Sequence, residues 1–185
     1  HEDDLRVLIL PSGPADELAT ATPMFVHAIS RAEERIWIAS PYFVPDRPVV
    51  TALQLAGLRG VDVRILIPDQ PDHLSVYLAA FSYLDESAST GVAFYRYTDG
   101  FLHQKVMLID NEVATVGTAN FDNRSFRLNF EITAVIVGDD FASEVERMFE
   151  DDVSKSRKIE TGEYDRKPWW FRFAVKLARL TAPVQ

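Results

Sequence analysis

An α/β sandwich with a mixed central sheet is the fold this sequence predicts, on two observations. Strand-length apolar runs alternate with segments of helical periodicity from Leu5 to Ser156, the pattern of a sheet covered by helices. Within that alternation, Gln104–Ile109 and Val113–Val116 read as strands separated only by Asp110-Asn111-Glu112. So short a polar break makes a hairpin, and hairpin strands run antiparallel.

The elements follow in order. Leu5–Leu10 (LRVLIL) is a strand, stopped by Pro11-Ser12-Gly13-Pro14. Asp16–Ala32 reads as helix, with Pro23 setting its working start and Thr22 as cap. His27 on it has no partner motif and reads as a helix-surface or packed residue. Arg35–Ser40 (RIWIAS) is a strand ending in a stiff aromatic loop, Pro41–Pro45. Pro48–Arg59 is helical, with Val49, Leu53 and Ala56 on one face. Val61–Ile67 is a strand and Leu74–Ser87 a helix, joined by the loop Pro68–His73; in open α/β sheets, sites sit beyond the C-terminal ends of strands. Gly91–Tyr97 leads into the hairpin, and Phe121–Phe126 is a polar-aromatic connector. Asn129–Val137 is a strand whose apolar part (ITAVIVG) predicts burial on both faces. Asp139–Ser156 is an amphipathic helix.

The 185 residues suffice for one core, and the 47% apolar and 25% charged shares are those of a globular domain. Without Cys there is no thiolate site, and His1, His27, His73 and His103 are too scattered for a metal cluster, so neither metal nor cofactor is expected. The net charge of −9 is unevenly spread: residues 155–185 carry +5 and the remainder −14. An acidic body is a poor match for nucleic acid, whereas a basic tail suits an anionic membrane surface. No apolar run reaches the eighteen or so residues of a membrane span. The abrupt acidic opening (His1–Asp4) reads as a cut end. Trp169–Leu180 (WWFRFAVKLARL) predicts a tail helix with Arg172, Lys176 and Arg179 on one stripe and Trp170, Phe173, Ala174 and Leu177 beside it. The expected division is therefore a body, 1–156, and a basic amphipathic tail, 157–185.

Chemistry concentrates between Phe101 and Glu131. On a strand, His103 and Lys105 share one face and Gln104 and Val106 the other. The returning strand brings Gly117-Thr118-Ala119-Asn120 alongside, so an imidazole, an ammonium, an amide and free backbone N–H groups converge. Such a set can grip and attack a phosphate. His103 is the candidate nucleophile or general acid, Lys105 the cation for phosphate oxygens, and Thr118 and Asn120 neutral donors. Glu131, an acid beside an apolar run, is the candidate acceptor that fixes the His103 tautomer. Asp110 is expected to fix the turn rather than move protons. Arg124 has two open partners, Asp110 or a lipid phosphate.

His103, Lys105 and Asp110 in HxKxxxxD spacing, followed by GTANFDNRSFRLNFE, PYFVPD and IPDQPDH, resemble the phospholipase D superfamily, and in particular its bacterial cardiolipin synthase branch. The resemblance covers nearly the whole chain, with Thr118 where Ser is commoner. It implies a phospholipase D-like α/β/α sandwich and transfer of a phosphatidyl group through phosphohistidine, making cardiolipin from two phosphatidylglycerols. It places Asp110 within the motif, Gly117 and Thr118 at the substrate, His73 at the mouth of the site, and Tyr42 and Phe43 in its wall, the residues themselves being equally consistent with packing under their loop. It further implies a peripheral position on the bacterial cytoplasmic membrane. Hydrolysis by a homodimer, or a catalytically incomplete lipid-binding half-domain, are the alternatives. Only one HxKxxxxD is present, so the partner expected is a missing N-terminal half or a second identical subunit.

Overall fold

Alternate residues of the central strands divide between two apolar layers, and this division builds the molecule. The computed structural model describes residues 5–17, 19–70 and 73–180; the acidic opening and part of the loop before His73 lie outside them. Strands β1 (Arg6–Ser12) and β2 (Arg35–Ala39) flank helix α1 (Ala21–Arg31). A two-residue strand β3 (Phe43–Val44) then precedes α2 (Arg47–Leu58), β4 (Asp62–Pro68), α3 (Leu74–Ser87) and β5 (Val92–Tyr97). The hairpin strands are β6 (Val106–Ile109) and β7 (Val113–Gly117), and β8 (Phe121–Asp122) and the short helix α4 (Asn123–Arg127) follow. Last come β9 (Glu131–Val137), α5 (Asp139–Ser154), β10 (Ser156–Lys158) and α6 (Trp169–Leu180).

Eight strands form one mixed sheet in the order β1-β9-β7-β6-β2-β4-β5-β10. β2, β4 and β5 are parallel, joined by α2 and α3 as crossovers, while the remaining pairings are antiparallel. Ile36, Ile38, Val63, Ile65 and Met107 pack under α1, α2 and α3. Trp37, Ala39, Leu66, Leu108 and Ala114 face the other way, against Ala142, Val145 and Phe149 of α5. This is the sandwich expected from the sequence.

Several expectations are corrected. α1 begins at Ala21, not at Pro23, and Thr22 is no cap: it is buried and donates its hydroxyl to Asp46 Oδ2 at 2.5 Å. β9 is not buried on both faces, since Ile132 is 48% exposed. Its outer neighbour β1 ends the sheet with Leu8 59% exposed. The loop 41–45 and the connector 121–126 are less irregular than expected, because β3 and β8 pair in parallel as a separate two-stranded sheet. The stretch after α5 adds β10, antiparallel to β5. α6 lies on α3 with Val175 and Ala178 buried, the Phe171 ring edge-on to Phe81, and Arg179 paired with Glu86. Among the described residues no helix is long and apolar enough to cross a membrane.

Candidate active site

The His-x-Lys stretch sits just beyond the end of its strand. β6 starts at Val106 rather than Gln104, because its partner β2 stops at Ala39, the residue paired with Val106. The chain turns away there through Ser40 and Pro41. Residues 101–105 are held otherwise: Gly117 N donates to Lys105 O at 3.1 Å, Leu102 is buried, and Gln104 Nε2 donates to Asp152 Oδ2 of α5 at 2.8 Å. Gln104 thus faces α5, and His103 and Lys105 come together on the surface. Lys105 Nζ lies 3.0 Å from His103 Nδ1 and 3.3 Å from Nε2, and it also donates to His103 O at 2.9 Å. The imidazole is exposed and stacks on the half-exposed Phe101 ring at 5.6 Å.

The loop after β7 is tied to β9. Thr118 Oγ1 donates to Glu131 Oε2 and accepts from Ile132 N at 3.0 Å, while Thr118 N donates to Ile132 O. Asn129 Nδ2 donates to Glu131 Oε1 at 3.1 Å, and Arg124 Nε donates to Asn129 Oδ1 at 3.2 Å. Two expectations fall here. Glu131 does not hydrogen-bond His103; its carboxylate is taken by Thr118 and Asn129. Thr118 orients that carboxylate rather than offering a free hydroxyl to substrate. Arg124 belongs to the same chain of bonds and does not meet Asp110. Gly117 is needed for close packing, because a Cβ there would lie 2.4 Å from Ile132 O.

Asn120 is partly buried. Its side chain hydrogen-bonds Asp122, and its Oδ1 has no partner among the described residues. Asp122 is 4% exposed and caps α4, accepting from Ser125 N at 2.6 Å. Burial pushes its carboxyl above the ordinary value; the bonds from Ser125 and Asn120 oppose this, and nearby Glu131 reinforces it. A raised acid makes the folded state bind the proton more tightly than the unfolded chain. Its contribution to stability is therefore lost as pH rises from the ordinary carboxylate value through the raised one. Asp122→Asn, which keeps a capping oxygen, is expected to flatten the fall in melting temperature as pH rises above the ordinary carboxylate value. Thermal melts of both proteins over that range check this; parallel curves would count against it.

Asp110 was expected to fix its own turn, but its carboxylate is engaged elsewhere. Its carboxylate accepts from the backbone N–H of Glu33, Glu34 and Arg35 at 2.8–3.2 Å, fastening the hairpin to the start of β2. Its φ of +49° is a conformation that Asp tolerates. Of the aromatic wall, Phe43 is core, 2% exposed and stacked on Phe121. Tyr42 and His73 do meet, ring centroids 6.0 Å apart, lining one small hollow with Pro41, Pro68, Val76 and Tyr77.

Ser40 is a positioning residue that no motif marks. Fully buried at the end of β2, it accepts from Phe121 N at 3.0 Å and donates to Tyr42 O at 2.7 Å. Asp46 is another, 4% exposed, receiving Thr22 Oγ1, Val49 N and Arg127 Nη2. Its place just before Arg47-Pro48 was a legible helix-cap signal. Among the described residues no group of His, Cys, Asp and Glu is arranged to hold a metal.

Comparison with known proteins follows the same lines. Residues 25–153 match the family described as cardiolipin synthase, PLD-like domain. The cardiolipin synthase A of Pseudomonas fluorescens Pf-5 is 51% identical over 99% of this chain and 38% of its own length. That of Pseudomonas aeruginosa PAO1 is 49% identical over 95% of this chain and 36% of its own. The chain thus spans well under half the length of these relatives. Among solved structures, Nuc from Salmonella typhimurium, a phospholipase D family member, superposes with a TM-score of 0.73 at 22% identity, covering 85% of this chain and all of that one. The phosphatidylserine synthase of Haemophilus influenzae gives 0.74 at 18% identity, over 98% of this chain and 48% of its own. At such identities the likeness concerns the fold. With the profile covering most of the chain and relatives about half identical over nearly all of it, this protein belongs to the phospholipase D-like cardiolipin synthase family.

Proposed function

We propose that this chain carries one of two histidine half-sites of a phosphatidyltransferase that makes cardiolipin. The observation that carries the proposal is the exposed His103 imidazole with the Lys105 ammonium 3.0 Å from it. His103 attacks the phosphorus of one phosphatidylglycerol, an N–P bond forms as the P–O bond to glycerol breaks, and glycerol leaves with a proton. A hydroxyl of a second phosphatidylglycerol gives up its proton and attacks, the N–P bond breaks, and cardiolipin is released. Lys105 and the remaining amide N–H of Asn120 neutralise the equatorial oxygens, each contributing a few kcal/mol of transition-state stabilisation. The same half-site with water as acceptor is a phosphodiesterase, so the relatives' names rather than the geometry favour transfer.

One imidazole cannot both attack the phosphorus and protonate the alkoxide leaving on its far side, so the scheme needs a second acid–base group. Among the described residues no carboxylate hydrogen-bonds His103: with Glu131 held by Thr118 and Asn129, the acceptor for its second ring nitrogen comes from substrate or from a facing half. The flank of Glu131 favours a facing half, since its neighbours Phe130 and Ile132 are exposed apolar side chains. In the longer relatives there is length for such a half; a second copy paired about a two-fold axis is the other source. The test is glycerol release from phosphatidylglycerol vesicles against protein concentration, with mass measured in the same solutions. The monomer is expected to be inactive, and concentration-independent transfer by a proven monomer overturns the two-half scheme.

A further inference from the structure

α6 is apolar on two opposite sides, and only one of them is used. Phe171, Val175 and Ala178 pack on the body. On the far side Trp169, Phe173, Leu177 and Leu180 form a row, with Trp170 beside it, all half or more exposed. Along the border of that row lie Arg172 and Lys176, and with Tyr164, Trp169 and Phe173 they line one open hollow. Arg179 on the same helix is paired with Glu86, whereas among the described residues neither Arg172 nor Lys176 has an acidic partner. We propose that this outer face of α6 seats on an anionic bilayer surface, the aromatic row entering the headgroup boundary and Arg172 and Lys176 taking lipid phosphates.

Three features select that occupant. An exposed apolar row of this size on a soluble surface marks an interaction site. Trp and Phe bordered by cations is the composition that lies in a bilayer interface rather than in a protein core. The charge distribution also orients the approach, because residues 1–154 carry −14 and are repelled by anionic lipid while residues 155–185 carry +5. The structure sharpens the sequence expectation here: Arg179 is withdrawn into an ion pair, and Trp169 and Leu180 join the outer face. The choice of a bilayer over other anionic surfaces rests on the phospholipid reading above. The test reads partition rather than turnover, so either can fail alone.

Flotation of the whole chain with phosphatidylglycerol-containing and pure phosphatidylcholine vesicles decides it, using two double variants. Trp169, Phe173 and Lys176 are exposed and Arg172 is half-exposed, and thermal melts verify that each variant folds. Arg172→Gln with Lys176→Gln is expected to weaken partition to the anionic vesicles roughly thirty-fold. Trp169→Ser with Phe173→Ser is expected to abolish it. The Trp fluorescence of the parent chain is expected to shift to the blue on anionic vesicles alone. Undiminished partition of either variant, equal flotation with neutral vesicles, or no flotation of the parent chain overturns the proposal. So does a dimer that the aromatic variant converts to monomer with partition unchanged, which assigns the face to a second copy.

Discussion

Replacing His103 by Ala is expected to lower phosphatidyl transfer in the assembled two-half enzyme by roughly 10²- to 10⁴-fold, the range associated with losing a positioned proton-transfer or nucleophilic group. Stability should not change. The ring is exposed; it stacks on Phe101 and lies beside Lys105, which keeps its bond to the His103 carbonyl in the variant. Glycerol release and the melting temperature, measured on the same preparation, separate the two effects. A drop in melting temperature matching the loss of activity would make His103 structural, and unchanged release would remove it from the chemistry.

Asp110→Ala should do the reverse, acting on stability first. Its carboxylate serves three consecutive backbone N–H groups from a residue held at φ +49°. Losing charge-assisted bonds of this kind costs about 2–3 kcal/mol, less than full burial would demand because water reaches these amides. In a domain of this size that corresponds to a fall of about 5–10 °C in melting temperature. Asp110→Asn keeps an acceptor and tolerates the left-handed backbone, so it should lose less than half as much. Equal melting temperatures for parent and Ala variant would show that the fastening to β2 contributes nothing. The motif's carboxylate is thus expected to matter for activity only through the fold.

Long periodic segments were legible from residue order, and short ones were not. RIWIAS and VDVRILI are long enough for burial to dictate strand, and they became β2 and β4; LRVLIL became β1 by pairing with β9 although most of it is exposed. β3 and β8, at two residues each, carry no period at all, and they exist because Phe43 and Phe121 stack in the core. Phe43 between two prolines looked like loop, and only the fold shows the ring turned inward. β10 was hidden by polarity, its Ser-Arg-Lys reading as the opening of a tail. At the site, alternation predicted that His103 and Lys105 share a strand face; they do lie together, but beyond the start of β6, and the Gly117–Lys105 backbone bond ties the Gly-Thr-Ala-Asn loop to them. The partner of Glu131 did not, because it depends on the register of β7 against β9, which sets Gly117 opposite Thr133 and brings the Thr118 hydroxyl to the carboxylate. Pattern reports which face a side chain takes; it is silent on which of two nearby polar groups claims it first.

The position of β1 at the end of the sheet has a consequence for handling the protein. Its ladder to β9 uses one side of its backbone, and the other side presents amide and carbonyl groups to solvent between exposed Val7, Leu8 and Ile9. An uncovered apolar edge of this sort is a template for strand addition, the first step of aggregation. Pro11 removes one donor from the strand and Arg6 adds a charge at its start, which blunts the edge at both ends without closing its middle. Concentrating the chain therefore favours edge-to-edge association, and solubility is gained by covering this margin with a partner or by placing a lysine at Leu8 or Ile9.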